Sequence, residues 1–200
     1  MLNLTIVLDI DETLIHSSGS TQDENRDFFC LGYDVYKRPH LDEFLKFVFD
    51  NFSVGFFTSA KLDYTTIILD NILTKEQRKK TRFVYDRKFC NIVKEKTYSI
   101  YEQGGAEYKV YKNLKKVFYL SGVSRKKTIA IDDKPYSFFK SYSNCIPIVP
   151  FLPISSFYRG DTELLKLMEY IKIVSKTDNV RKFDHRSWTD KIFLTFPTKI

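Results

Sequence analysis

From Leu4 to Leu8 almost every side chain is apolar, and the run then meets two carboxylates, Asp9 and Asp11. A strand with one wet face alternates apolar and polar residues. A short run apolar at consecutive positions is instead covered on both faces, as in a parallel sheet between helices. The spacing therefore predicts a buried strand over residues 4–10, with further strands at Ser53–Phe57, Arg82–Tyr85, Thr128–Ile131 and Ile146–Val149. Helices are predicted between them. Pro39 opens one in which Leu41, Phe44, Leu45, Val48 and Phe49 fall at helical spacing. Others are expected over Lys61–Leu73, Tyr111–Tyr119 and, capped by Asp161, to about Ser175. Strands alternating with helices imply an α/β sheet with crossover connections.

The 200 residues suit one domain over 1–180 with an insertion at about 86–107, read as irregular chain or a small antiparallel element with a Gly104-Gly105 turn. Residues 17–34 read as a loop or small flap. Residues 181–200, basic and carrying Trp188, read as an extension packed on the body. With 18 Phe and 13 Tyr against 7 Gly and 6 Pro, the composition excludes a disordered chain. The net charge of +7 raises the local concentration of anionic partners, phosphopeptides and nucleic acids alike, without choosing between them. Cys30, Cys90 and Cys145 have neither metal-ligand spacing nor a disulfide framework, and read as reduced thiols. The opening apolar run is too short for a signal peptide, and no stretch approaches the roughly 20 apolar residues of a membrane span. The expectation is a soluble intracellular protein of the nucleus or cytoplasm, with no membrane partner.

In open α/β sheets ligands bind at the carboxyl ends of the strands. Three predicted strands end there in polar groups: Asp9 and Asp11, Thr58 and Ser59, Asp132 and Asp133. Residues two apart on a strand point to the same side, so Asp9 and Asp11 face one pocket. Paired carboxylates repel unless a cation or proton lies between them, and Mg²⁺, which prefers hard oxygen ligands, is the natural partner. Alone, Asp-x-Asp is as easily a solvated loop or a capping pair.

The surrounding residues carry more. Asp9 to Ser18, DIDETLIHSS, resembles the DLDETLVHSS signature of haloacid-dehalogenase-type (HAD-like) phosphatases, in the branch of the RNA polymerase II C-terminal-domain phosphatases, also called NLI-interacting-factor-like or small CTD phosphatases. Four more blocks follow in the family's order: Lys37 to Leu45 resembles KRPHVDEFL, Phe57 to Ala60 its FTAS segment, Ile131 to Pro135 its VDNSP or IDDR segment, and Asp161 to Leu165 its DTELL. The resemblance spans about residues 4–180. It implies a Rossmann-like parallel sheet with helices on both faces, and Mg²⁺-dependent hydrolysis of phosphoserine in proteins or peptides, the RNA polymerase II C-terminal domain among them. It implies Asp9 as nucleophile and metal ligand, Asp11 as general acid and, through its backbone carbonyl, metal ligand, and Thr58 as a phosphoryl hydrogen-bond donor with Ser59 beside it. Asp133 aligns with a metal ligand, with Asp132 supporting it. The lysine that neutralises phosphoryl charge is assigned to Lys112, within Val110 to Leu114, with Lys109 and Lys115 as rivals. A monomer that needs no nucleic acid is expected.

The stretch between His16 and Lys37 is shorter than in the small nuclear members, where it helps form an aromatic pocket for the residue preceding phosphoserine. Phe28, Phe29 and Tyr33 are candidates to replace it. Two other readings stay open: hydrolysis of a small metabolite or a nucleic-acid end phosphate, and a binding module without turnover, which would not need both motif aspartates.

Overall fold

The computed structural model describes residues 4–19, 24–96, 106–153 and 160–193. In chain order the elements are β1 (Thr5–Leu8), β2 (Ile15–Gly19), β3 (Phe28–Cys30), β4 (Tyr33–Lys37), α1 (Leu41–Asn51), β5 (Ser53–Phe57), α2 (Leu62–Ile72), α3 (Lys75–Lys80), β6 (Val84–Tyr85), β7 (Asn91–Lys96), β8 (Ala106–Tyr111), α4 (Leu114–Ser121), β9 (Thr128–Asp132), β10 (Cys145–Pro147), α5 (Glu163–Ser175) and α6 (Trp188–Phe193).

β1 is the middle strand of a five-stranded parallel sheet of order β10-β9-β1-β5-β6. Its unbroken apolar run reflects two cores. Ile6 and Leu8 pack with Phe44 and Val48 of α1, Ile68 and Leu69 of α2, and Leu167 and Ile171 of α5. Val7 points the other way, to Leu114 and Val117 of α4 and to Phe138. All five predicted strands are present in this sheet.

Four features differ from the sequence reading. Within the stretch read as a loop or flap, β2, β4 and β3 form an antiparallel sheet, turned at Leu31 and Gly32, both with positive φ. Its register puts Phe28 and Tyr33 on one face and Phe29 on the other, so the three aromatics do not line one pocket. The helix expected from Tyr111 starts at Leu114, because Tyr111 still belongs to β8 and Asn113 caps the helix by accepting from the Lys115 N–H at 3.0 Å. α3 went unpredicted; a capping box between Thr74 and Gln77 starts it. Part of the insertion forms the antiparallel pair β7–β8, in line with the small antiparallel element expected there, while Gly104 and Gly105 lie outside the described residues.

Within the tail, Phe183, Trp188 and Ile192 pack with the main core. Trp188 is buried and donates its indole N–H to the Pro147 carbonyl at 2.6 Å. Burial pulls the His185 imidazole down to about 4, so it is neutral. Its Nε2–H donates to the Val180 carbonyl at 3.0 Å, which leaves Nδ1 to accept from the Tyr170 hydroxyl at 2.8 Å.

Candidate active site

The site lies at the carboxyl ends of β1, β5 and β9. The Asp9 N–H donates to the Ile131 carbonyl at 3.0 Å, so Asp9 still rides on the sheet ladder. Beyond Asp11 the chain reverses at Glu12, whose φ of 62° is unusual for a side chain with a Cβ. Three contacts hold that conformation. The Glu12 N–H donates to the Ile15 carbonyl, its carbonyl accepts from the Phe151 N–H, both at 2.7 Å, and its carboxylate meets His16 Nδ1 at 2.9 Å. Thr13 Oγ1 accepts from the Asp133 N–H at 3.1 Å, tying the β1 loop to the β9 loop.

Lys112 lies in the short link between β8 and α4, and its side chain is buried. Nζ lies 2.5 Å from Asp9 Oδ1 and 2.6 Å from Asp132 Oδ2. Burial alone would pull the ammonium's pKa down; Asp132 and Asp9 outweigh it and hold it above the usual lysine value, so the lysine stays charged. Among its rivals Lys109 is half-buried on β8 and Lys115 is exposed. Three buried carboxylates, Asp9, Asp132 and Asp133, thus cluster together, two of them against one buried cation. Burial, then the charge on Asp9, pushes the Asp132 carboxyl up to about 7 and that of Asp133 up to about 6.

The two neighbouring aspartates have different surroundings. Both Asp132 oxygens are engaged, Oδ2 by Lys112 and Oδ1 by the Lys134 N–H at 2.7 Å. Asp133 Oδ1 is buried without a hydrogen-bond partner, and Lys134 Nζ lies 3.6 Å from its Oδ2. An orphaned carboxylate oxygen beside a second carboxylate, in a site with surplus negative charge, fits a hard divalent cation.

Thr58 is fully buried at the end of β5. Its N–H donates to the Tyr85 carbonyl at 2.9 Å, and its Oγ1 accepts from the Ala60 N–H at 3.0 Å, which leaves the hydroxyl proton available to another acceptor. Ser59 is exposed beside it. Asp11 is not among the three clustered carboxylates; its Oδ1 accepts from the Tyr64 hydroxyl at 2.7 Å. Sequence reasoning passed over Tyr64, which reads as one more aromatic on the predicted helix. Its signal is that a partly buried tyrosine hydroxyl needs a polar partner.

Two of the matched blocks meet here without bearing chemistry. Arg38, nearly fully buried, reaches Asp161 Oδ2 through Nε at 3.1 Å and Nη2 at 2.9 Å. It also donates to the carbonyls of Thr13 at 3.1 Å and Val149 at 2.9 Å. One guanidinium thus fastens the loop after Asp11, the segment after β10 and the start of α5.

A parallel α/β sheet with helices on both faces, carrying clustered carboxylates and a buried lysine at its carboxyl edge, has the HAD-like fold. The family model for NLI interacting factor-like phosphatase matches residues 4–181, and the chain belongs to that family. It is 29% identical to a CTD phosphatase-like protein of Invertebrate iridescent virus 3, over 84% of this chain and 94% of the viral one. It is 29% identical to CTD small phosphatase-like protein 3 of Caenorhabditis elegans, over 85% of this chain and 54% of that one. The human carboxy-terminal domain RNA polymerase II polypeptide A small phosphatase 1 is 27% identical, over 88% of this chain and 61% of its own. The chain therefore spans well under two thirds of the nematode and human relatives. Among solved structures, Fcp1, an essential RNA polymerase II CTD phosphatase, superposes with a TM-score of 0.53 at 15% identity, over 96% of this chain and 61% of that one, a likeness of fold alone. Among the described residues, no helix is long and apolar enough to cross a membrane.

Proposed function

We propose that the chain is a Mg²⁺-dependent protein phosphatase that removes phosphate from serine through a phospho-aspartate on Asp9. The observation that carries this reading is Asp9 held 2.5 Å from the buried Lys112, with the orphaned Asp133 Oδ1 in the same carboxylate cluster. Asp9 attacks phosphorus as the bond to the serine oxygen breaks, and Asp11 gives that oxygen a proton. Asp11 then takes a proton from the water that attacks the phospho-aspartate, releasing inorganic phosphate and regenerating Asp9. Thr58, with Ser59 beside it, and Lys112 bind the phosphoryl oxygens, and Asp132 keeps Lys112 in place. Asp9, Asp133 and the Asp11 backbone carbonyl would hold Mg²⁺, which neutralises charge between nucleophile and phosphate. The names of relatives support the RNA polymerase II C-terminal domain as a candidate substrate, and we propose that a soluble monomer acts on it in the nucleus or cytoplasm.

The test is a panel of phosphoserine peptides, polymerase-tail repeats among them, beside 3′-phosphorylated oligonucleotides. Turnover on peptides that stops with chelator and returns with Mg²⁺ supports the reading. Activity confined to oligonucleotides, or untouched by chelation, sinks it. Lys112→Met is expected to lower kcat/KM by about 10²-fold or more. Lys115→Met, at an exposed position, stays within about 2-fold on the same steady-state assay.

A further inference from the structure

We infer that Tyr64 is a positioning residue for Asp11, holding Oδ1 by a hydrogen bond so that the proton for the leaving group is carried on Oδ2. This rests on the phosphatase reading above.

Tyr64, in the first turn of α2, donates to Asp11 Oδ1 at 2.7 Å, and its hydroxyl lies 3.0 Å from Ser17 Oγ on β2. Its ring meets the half-exposed Tyr33 edge-on, with centroids 6.2 Å apart. The hydroxyl is therefore fixed from two sides, by elements other than the one that bears Asp11. A carboxyl that is free to rotate offers either oxygen as the acid. Once Oδ1 accepts from a phenol, the acidic proton is confined to Oδ2, and the carboxyl loses a rotation it would otherwise have to give up in the transition state.

A residue that only supports the fold slows all substrates alike. A residue that aims the acid matters in proportion to how badly the leaving oxygen needs a proton. Wild type and Tyr64→Phe, which keeps the ring on Tyr33, are compared with Mg²⁺ on a phosphoserine peptide and on aryl phosphates of graded leaving-group acidity, beginning with p-nitrophenyl phosphate. The expected result is a kcat/KM, which reports only the steps through phospho-aspartate formation, about 10-fold lower on the peptide and little changed on p-nitrophenyl phosphate, with a steeper dependence of kcat/KM on leaving-group acidity across the series. Equal losses of kcat/KM on every substrate, an unchanged slope, or no loss at all overturns the role of Tyr64 while leaving the phosphatase reading intact. A wild-type chain without Asp9-dependent turnover on any of these esters overturns that reading, and the inference with it.

Discussion

Asp9→Asn is expected to abolish turnover on every phosphate ester, by at least about 10³-fold, while the protein becomes no less stable. An amide cannot attack phosphorus as a carboxylate does, and losing a nucleophile removes a whole covalent step rather than one contact. Stability should hold because Asp9 sits in a cluster with two more carboxylates and a single buried lysine. Neutralising it relieves repulsion, and Lys112 keeps its 2.6 Å pair with Asp132. A denaturant midpoint equal to or above that of wild type, beside inactivity on p-nitrophenyl phosphate, is the pattern of a site that trades stability for function. Near-normal turnover in this variant would remove Asp9 from the mechanism.

Arg38→Met is expected to be the most destabilising of the substitutions considered, by about 3–5 kcal/mol. Met replaces the aliphatic stem of the side chain but none of its five donors. It leaves the Asp161 carboxylate unpaired and strips the carbonyls of Thr13 and Val149 of a donor. Arg38→Lys should recover little, since one ammonium cannot reproduce a fork that reaches three acceptors from a buried position. Equilibrium denaturation followed by circular dichroism measures the loss, and a cost below about 1 kcal/mol would contradict the staple. Activity should fall as well. The Thr13 whose carbonyl Arg38 holds also receives the Asp133 N–H on its hydroxyl, so loosening the staple reaches the carboxylate cluster.

Much of this architecture was legible before any coordinates. Apolar runs marked five strands, helical spacing marked α1, and the ordered blocks named the residues at the strand ends. The misreadings have local causes. β2–β4 escape a sequence reading because such short strands show no clear apolar–polar alternation; Tyr33 and Phe29, on opposite faces, are both exposed. The start of α4 is misplaced because Val110, Tyr111, Leu114, Val117 and Phe118 keep a helical spacing across the β8-to-α4 junction, where the Asn113 cap marks the division.

The opening pair, Asp9 and Asp11, shows where sequence stops. Residue types and spacing alone determined that two carboxylates end a buried strand, and resemblance attached phosphoryl chemistry to them. Only the folded chain separates their surroundings, Asp9 against Lys112 and Asp11 against Tyr64. Only the fold picks Lys112 from its neighbours, engages both oxygens of Asp132 while leaving Asp133 Oδ1 bare, and brings Arg38 to Asp161. The physical reason is separation along the chain. These partners lie 20, 53 and 123 residues apart, for Lys112–Asp132, Tyr64–Asp11 and Arg38–Asp161. Local periodicity governs neighbours within a turn or a strand; which distant donor meets which acceptor is decided by strand order and by the helices stacked on the sheet.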